Sequence, residues 1–154
     1  GPVSVISYQA AHSAGEGPAL ALRITVDGRT VTYSGDGGWS KGWTAAAKGA
    51  DLVHFSETCL SGYAGVEHAS FAGFDWARLV AKTREVMALA RELGVWVVLG
   101  SAHRLERHRP HNSLYIISNN GEVVVSLTLT IFAIGIKNMG RMQPMYLMNL
   151  HKKN

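Results

Sequence analysis

The feature that most constrains the fold is a helical pattern lying between two short apolar runs. Apolar residues recur at three- and four-residue spacing between Asp75, which can cap the start of a helix, and Gly94, which can end one. A short, largely apolar run at 52–55 precedes this pattern, and a continuous apolar run at 95–99 follows it. Such runs are typical of strands in a covered sheet. The order strand, helix, strand predicts an α/β fold with a mixed β-sheet and packed helices.

Two further stretches have the pattern of β-hairpins. Residues 20–26 alternate between apolar and other residues, and Asp27-Gly28 then offers two positions suited to the positive φ angles of a type I′ turn. The returning strand is predicted at 30–33. A second hairpin is predicted where Asn119-Asn120-Gly121 separates two apolar runs. Between the hairpins, residues 39–48 have the spacing of a short helix with Trp39 and Trp43 on one face.

Glu57 is the first candidate for a functional residue. It follows the run at 52–55 and lies in a turn of mostly small residues, Ser-Glu-Thr-Cys-Leu-Ser-Gly. Open α/β sheets place ligand sites at the C-terminal ends of their strands, because strand ends hold side chains rigidly while the following loops shape a crevice. A role in capping a helix or forming the turn is the alternative for this carboxylate.

Composition limits the classes of partner and compartment. The formal charge is +4, and three arginines crowd residues 103–111 together with three histidines. No aromatic residues interleave this stretch, so a solvated loop is preferred to a nucleic-acid site. The single cysteine, Cys59, excludes an intrachain disulfide and predicts a reducing, cytoplasmic compartment. Neither a signal peptide nor an apolar run of the ~20 residues that cross a bilayer is found, so no membrane partner is expected.

Residues 49 to about 124 resemble the N-terminal part of the carbon-nitrogen hydrolase (nitrilase and amidase) superfamily. The matching pieces read GADLVHFSETCLSGY, FDWARLVAKTREVMALARELG, VWVVLGSAHR and HNSLYIISNNGEVV. The resemblance implies an α-β-β-α sandwich and hydrolysis of non-peptide C–N bonds in a small amide or nitrile by a Glu-Lys-Cys triad. Glu57 matches the glutamate, which acts as general base towards the cysteine.

Two members of that triad have no match. Leu129 stands roughly where the lysine is expected, and the family's cysteine belongs to a later strand and turn than this chain reaches. Cys59 lies in the same turn as Glu57. We therefore expect it to be a small, buried, apolar side chain and not the nucleophile. We therefore expect a truncated hydrolase that is catalytically incompetent.

The first third of the chain carries a second resemblance. The stretch ALRITVDGRTVTYSGDGGWSKGWTAAAKGADL is similar to the C-terminal half of the metallo-β-lactamase superfamily. That resemblance implies that Asp36 bridges two metal ions, zinc or manganese, in a metal-dependent hydrolase. The His-x-His-x-Asp-His cluster of that family is missing and Gly37 replaces its threonine, so a turn-forming Asp36 and no cofactor are preferred.

Together the resemblances predict a division of the chain within one compact domain. Residues 1–53 would form a metallo-β-lactamase-like segment, residues 49–125 a nitrilase-like segment, and residues 126–154 an unmatched tail. A third hypothesis is that the chain is no enzyme but an assembly module. Half of a sandwich leaves apolar strand surface exposed, which predicts a homo-oligomer.

Overall fold

The computed structural model describes residues 1–11, 19–104, 110–129 and 148–151. Within these ranges the elements are β1 (Val3–Ala10), β2 (Ala19–Val26), β3 (Arg29–Tyr33), α1 (Lys41–Ala47), β4 (Leu52–His54), α2 (Trp76–Leu93), β5 (Trp96–Arg104), β6 (Pro110–Ile117), β7 (Val123–Leu129) and β8 (Met148–His151). The strands form one mixed sheet in the order β1 to β8. β3, β4 and β5 run parallel, and every other neighbouring pair is antiparallel. The α/β fold with a mixed sheet and packed helices is therefore confirmed.

Local signals in the sequence set the predicted turn and the ends of the long helix. Asp27 and Gly28 connect β2 to β3 with φ angles of 49° and 76°, as a type I′ turn requires. At the start of α2 the Asp75 carboxylate accepts a hydrogen bond of 2.9 Å from the Arg78 backbone N–H. Gly94 ends the helix in the left-handed conformation with φ 64°. These three predictions are confirmed.

The short helix differs from its prediction in one respect. Ser40 caps α1 by accepting a hydrogen bond of 3.1 Å from the Trp43 backbone N–H, so the helix begins at Lys41. Trp39 lies before the helix and is 77% exposed, whereas Trp43 is buried. The prediction that the two tryptophans share a helix face was wrong, because the serine cap starts the helix after Trp39.

Both helices lie on the same face of the sheet. Val53 in β4 and Val97 in β5 are register partners and so point to one side. Val53 packs against the buried cluster that includes Trp43 and Ala46 of α1, and Val97 belongs to the cluster that includes Ala90 of α2. The helices therefore form one layer on one sheet, an arrangement consistent with half of a sandwich.

The two predicted segments that meet at residues 49–53 belong to the same sheet. Val31 in β3 pairs in parallel with Leu52 in β4, and the Asp51 backbone N–H donates to the Thr30 carbonyl at 2.8 Å. Of the predicted tail, residues 126–129 continue β7 and residues 148–151 form β8. The intervening residues 130–147 lie outside the described ranges.

Both ends of the basic stretch at 103–111 belong to strands and not to a loop. His103 and Arg104 belong to β5, and His111 belongs to β6, where it is the register partner of His103. The loop prediction was wrong there, because antiparallel pairing continues past Ala102 and Asn112. Residues 105–109 lie outside the described ranges. No helix in the described part of the chain is long and apolar enough to cross a membrane.

Candidate functional site

The candidate site lies beyond the C-terminal ends of two parallel strands. Asp36 follows β3 and Glu57 follows β4, so parallel pairing brings both carboxylates to the same edge of the sheet. Glu57 is exposed to solvent. It lies with Cys59 and Tyr63 on the wall of an open cavity of about 1630 Å³, whose apolar walls come from both helices and β4. The carboxylate is therefore accessible to a small molecule.

The turn that carries Glu57 packs directly on β5. A Cβ added to Gly100 would lie 2.1 Å from the Ser56 carbonyl oxygen and 2.6 Å from the Glu57 Cα, so this close approach requires glycine. The Gly100 carbonyl accepts a hydrogen bond of 3.2 Å from the Leu60 backbone N–H. Two residues further along β5, the Ala102 backbone N–H donates to the Ser61 hydroxyl at 2.9 Å. These hydrogen bonds hold the part of the turn that follows the carboxylate against β5.

The residue after Glu57 has an unusual backbone conformation. Thr58 is buried, β-branched and left-handed, with φ 51°. Such a residue is a conformational outlier that costs about 1–3 kcal/mol and persists only when its surroundings impose it. Here its carbonyl accepts hydrogen bonds from the backbone N–H groups of Ser61 at 3.0 Å and Gly62 at 2.7 Å. The turn is thus held in a strained form that presents Glu57 outward.

Two side chains contact the Glu57 carboxylate. Asn112 in β6 donates from Nδ2 to Glu57 Oε2 at 2.6 Å. The Tyr63 side chain lies close enough to Glu57 for the two groups to interact. Burial, followed by this interaction with Glu57, raises the pKa of Tyr63 to about 12, so the phenol stays protonated at neutral pH. Asn112 therefore orients the carboxylate, and the protonated Tyr63 lies near it.

Asn112 has a second polar atom that is not used. Its Oδ1 is buried and has no hydrogen-bond partner among the described residues. Asn112 was not predicted as a site residue. It belongs to the polar start of β6, which was the available signal, but its partner Glu57 is 55 residues away in sequence.

The charge of Asp36 affects the pKa values of two tyrosines, Tyr33 and Tyr63. Burial raises the pKa of Tyr33, and the negative charges of Asp36 and Glu57 raise it further. The charge of Asp36 also contributes to the raised pKa of Tyr63. The described residues contain no group of three or more histidine, cysteine or acidic side chains that could hold a metal. They do not supply the ligand set that a bridging Asp36 needs, and zinc or manganese binding there stays a prediction.

Cys59 does not have the environment of an activated nucleophile. Its thiol donates to the Gly100 carbonyl at 3.3 Å, and no hydrogen bond to Glu57 is found in the described residues. The residue retains solvent exposure, which contradicts the expected buried position. Even so, surrounding protein atoms desolvate the sulfur and raise its pKa to about 11, which the hydrogen bond only partly offsets. The thiol is therefore protonated at neutral pH, and only the thiolate is nucleophilic.

Comparison with known proteins extends the resemblance across most of the chain. The carbon-nitrogen hydrolase family model matches residues 8–136. A search of the curated proteins found no match. The matched range includes residues 8–53, and the expected likeness of that segment to metallo-β-lactamases finds no support. Because the match covers most of the 154 residues and includes the turn of Glu57, the chain belongs to the carbon-nitrogen hydrolase family.

Proposed function

We propose that Glu57 is the general base of a carbon-nitrogen hydrolase site that binds a small amide or nitrile. The observation that carries this proposal is the hydrogen bond of 2.6 Å from Asn112 to the Glu57 carboxylate, at the end of a parallel strand. A general base must be held in one orientation while an oxygen stays within reach of the proton it removes. Asn112 orients this carboxylate, and the solvent exposure of Glu57 leaves room for a bound group to approach it.

We further propose that this chain by itself does not complete the reaction. In the family the cysteine thiolate attacks the amide or nitrile carbon, and the lysine stabilises the tetrahedral intermediate. The chain's single cysteine is Cys59. The pKa of its thiol is raised to about 11, and the thiol donates a hydrogen bond to the Gly100 backbone carbonyl. Leu129 stands at the expected lysine position, and neither side chain seen on the Glu57 carboxylate is a lysine.

Binding and turnover are tested separately. Titration of the isotope-labelled full chain with acetamide, followed by NMR, should shift the backbone signals of residues 56–63 and the side-chain amide of Asn112. Glu57→Gln should weaken these shifts, because a neutral amide replaces the carboxylate acceptor. Glu92→Gln removes another exposed carboxylate, on α2, and should leave them unchanged. Equal shifts in the two variants, or none in the wild type, would contradict binding at Glu57.

Turnover is measured as release of ammonia from short aliphatic amides and nitriles. Wild type, Glu57→Gln and Cys59→Ser should all remain at the background rate. Ammonia release by the wild type that is lost in either variant would overturn the proposal that the chain is inactive by itself. That outcome would leave the assignment of Glu57 as general base in place.

A further inference from the structure

Two histidines face each other where β5 ends and β6 begins. His103 in β5 and His111 in β6 are antiparallel register partners, so their side chains point to the same side of the sheet. The Cβ atoms of such partners lie about 4.5–5.5 Å apart. His111 directly precedes Asn112, and successive residues of a strand point to opposite faces. The pair of imidazoles therefore lies on the other side of the sheet from the contact between Asn112 and Glu57.

Tyr115 holds one of the two rings in place. Its hydroxyl lies 2.5 Å from His103 Nδ1, and the two rings meet edge to face with centroids 5.8 Å apart. Burial raises the pKa of Tyr115 to about 12, so the hydroxyl stays neutral at physiological pH. In the tautomer with its proton on Nδ1, His103 donates to this hydroxyl and keeps the lone pair of Nε2 free. Metal-binding histidines are almost always held by an acceptor on their other ring nitrogen.

Both imidazoles are suited to accept a cation. Burial, and then the charge of His111, lower the pKa of His103, so this ring is neutral at pH 7. The ring of His111 has no hydrogen-bond partner in the part of the chain that the structure describes, and both residues are half-buried. The guanidinium of the neighbouring Arg104 lies over the Trp76 ring, 5.7 Å from its centroid, so a cation–π contact engages this charge.

We propose that His103 and His111 together bind one divalent transition-metal ion, of the class of zinc or copper, and so link β5 to β6. Neutral imidazole is a ligand that zinc, nickel and copper all accept. A zinc–nitrogen bond of about 2.0–2.1 Å needs two ring nitrogens that converge on one point, and side chains of register partners can do so. Two protein ligands make an open site, whose remaining positions are left to water. This proposal does not rest on the hydrolase function or on Asp36.

Calorimetric titration of the full chain with zinc chloride tests the proposal. His103→Ala and His111→Ala should each weaken zinc binding about a hundredfold, because the second imidazole no longer adds an intramolecular contact. His68→Ala is the matched control, since it removes another half-buried histidine, whose ring contacts Phe71 and Phe74. It should leave the dissociation constant unchanged. No zinc binding by the wild type, or equal effects of His111→Ala and His68→Ala, would overturn the proposal.

The hydroxyl of Tyr115 is tested as a positioning group. Tyr115→Phe should weaken zinc binding about tenfold, because His103 loses the acceptor that orients its ring. NMR of the histidine ring nitrogens in the isotope-labelled chain should show zinc-bound His103 protonated at Nδ1 and bound through Nε2. Zinc bound through Nδ1 would overturn this geometry, since that atom could not then donate to Tyr115.

Two measurements separate lost binding from lost folding. Zinc should raise the melting temperature of the wild type but not of His111→Ala, because an ion that binds only the folded state stabilises it. The electron paramagnetic resonance spectrum of the wild type with one equivalent of copper(II) should show two imidazole nitrogens, even if an alanine variant fails to fold. A single nitrogen ligand, or an equal rise in melting temperature for wild type and His111→Ala, would overturn the proposal.

Discussion

Gly100 of β5 lies so close to Glu57 that a Cβ on the glycine would stand 2.6 Å from the Glu57 Cα. The strand therefore serves as a platform for the turn that carries the candidate base. The same glycine accepts hydrogen bonds from Leu60 and Cys59 at its carbonyl. The absence of a side chain at this position lets the Glu57 turn lie against β5, and the backbone carbonyl of the same residue binds the Cys59 thiol.

Gly100→Ala should destabilise the protein and displace the Glu57 turn. The added methyl group would meet backbone atoms, which cannot rotate away, and overpacking of this kind costs about 1–3 kcal/mol. Gly38→Ala is the control, because its nearest neighbour would be 3.9 Å away. Urea unfolding of both variants measures the difference in the free energy of unfolding. Equal stability of the two variants would show that the turn moves aside freely.

Asn112→Asp should be less stable than Asn112→Ala near pH 7. The new carboxylate would lie at hydrogen-bond distance from the Glu57 carboxylate, and two such groups cannot both ionise without repulsion. The repulsion disappears when the carboxylates are protonated, so the gap between the two variants should shrink as the pH falls. Melting temperatures measured across a range of acidic and neutral pH check this. A gap that does not change with pH would contradict contact between residues 57 and 112.

Cys59 should react slowly with iodoacetamide at neutral pH. Because the pKa of its thiol is raised to about 11, the rate should climb about tenfold per pH unit through the neutral and mildly alkaline range without reaching a plateau. Free glutathione provides the comparison, since an unperturbed thiol reaches its plateau at lower pH. Alkylation followed by intact mass gives the rates. A plateau near neutral pH would mean that Cys59 is activated and would restore it as a candidate nucleophile.

Asp51→Asn should lower stability at neutral pH and have little effect in acid. A hydrogen bond from the Thr30 backbone N–H at 2.7 Å and the Arg29 guanidinium at 2.8 Å lower the pKa of Asp51 below its ordinary value of 3.8. The charged carboxylate therefore stabilises the folded state above that value, and this contribution is lost as the pH falls through the lower folded-state pKa. Urea midpoints of wild type and variant across this pH range measure the effect. An equal difference at every pH would argue against the ionised pair.

Some elements could be predicted because their signals are local. Asp27-Gly28 encodes its turn through the conformational preferences of two adjacent residues, and Asp75 and Gly94 mark the ends of α2 by bonding within one helical turn. Ser40 was the local signal missed at α1, where a tryptophan pattern was preferred to the serine cap. Glu57 belongs with the predictable features, since its place after an apolar strand is visible in the sequence.

Only the tertiary structure decided what surrounds Glu57 and which face of the sheet is left open. Asn112 approaches Glu57 from a strand 55 residues further along the chain, and Gly100 lies beneath it because of the parallel register of β4 and β5. The sequence by itself determined the α/β class, the turns and the helix caps, all of which depend on interactions within a few residues. Strand register and the side on which helices pack depend on contacts between distant segments, and these are set when the sheet assembles.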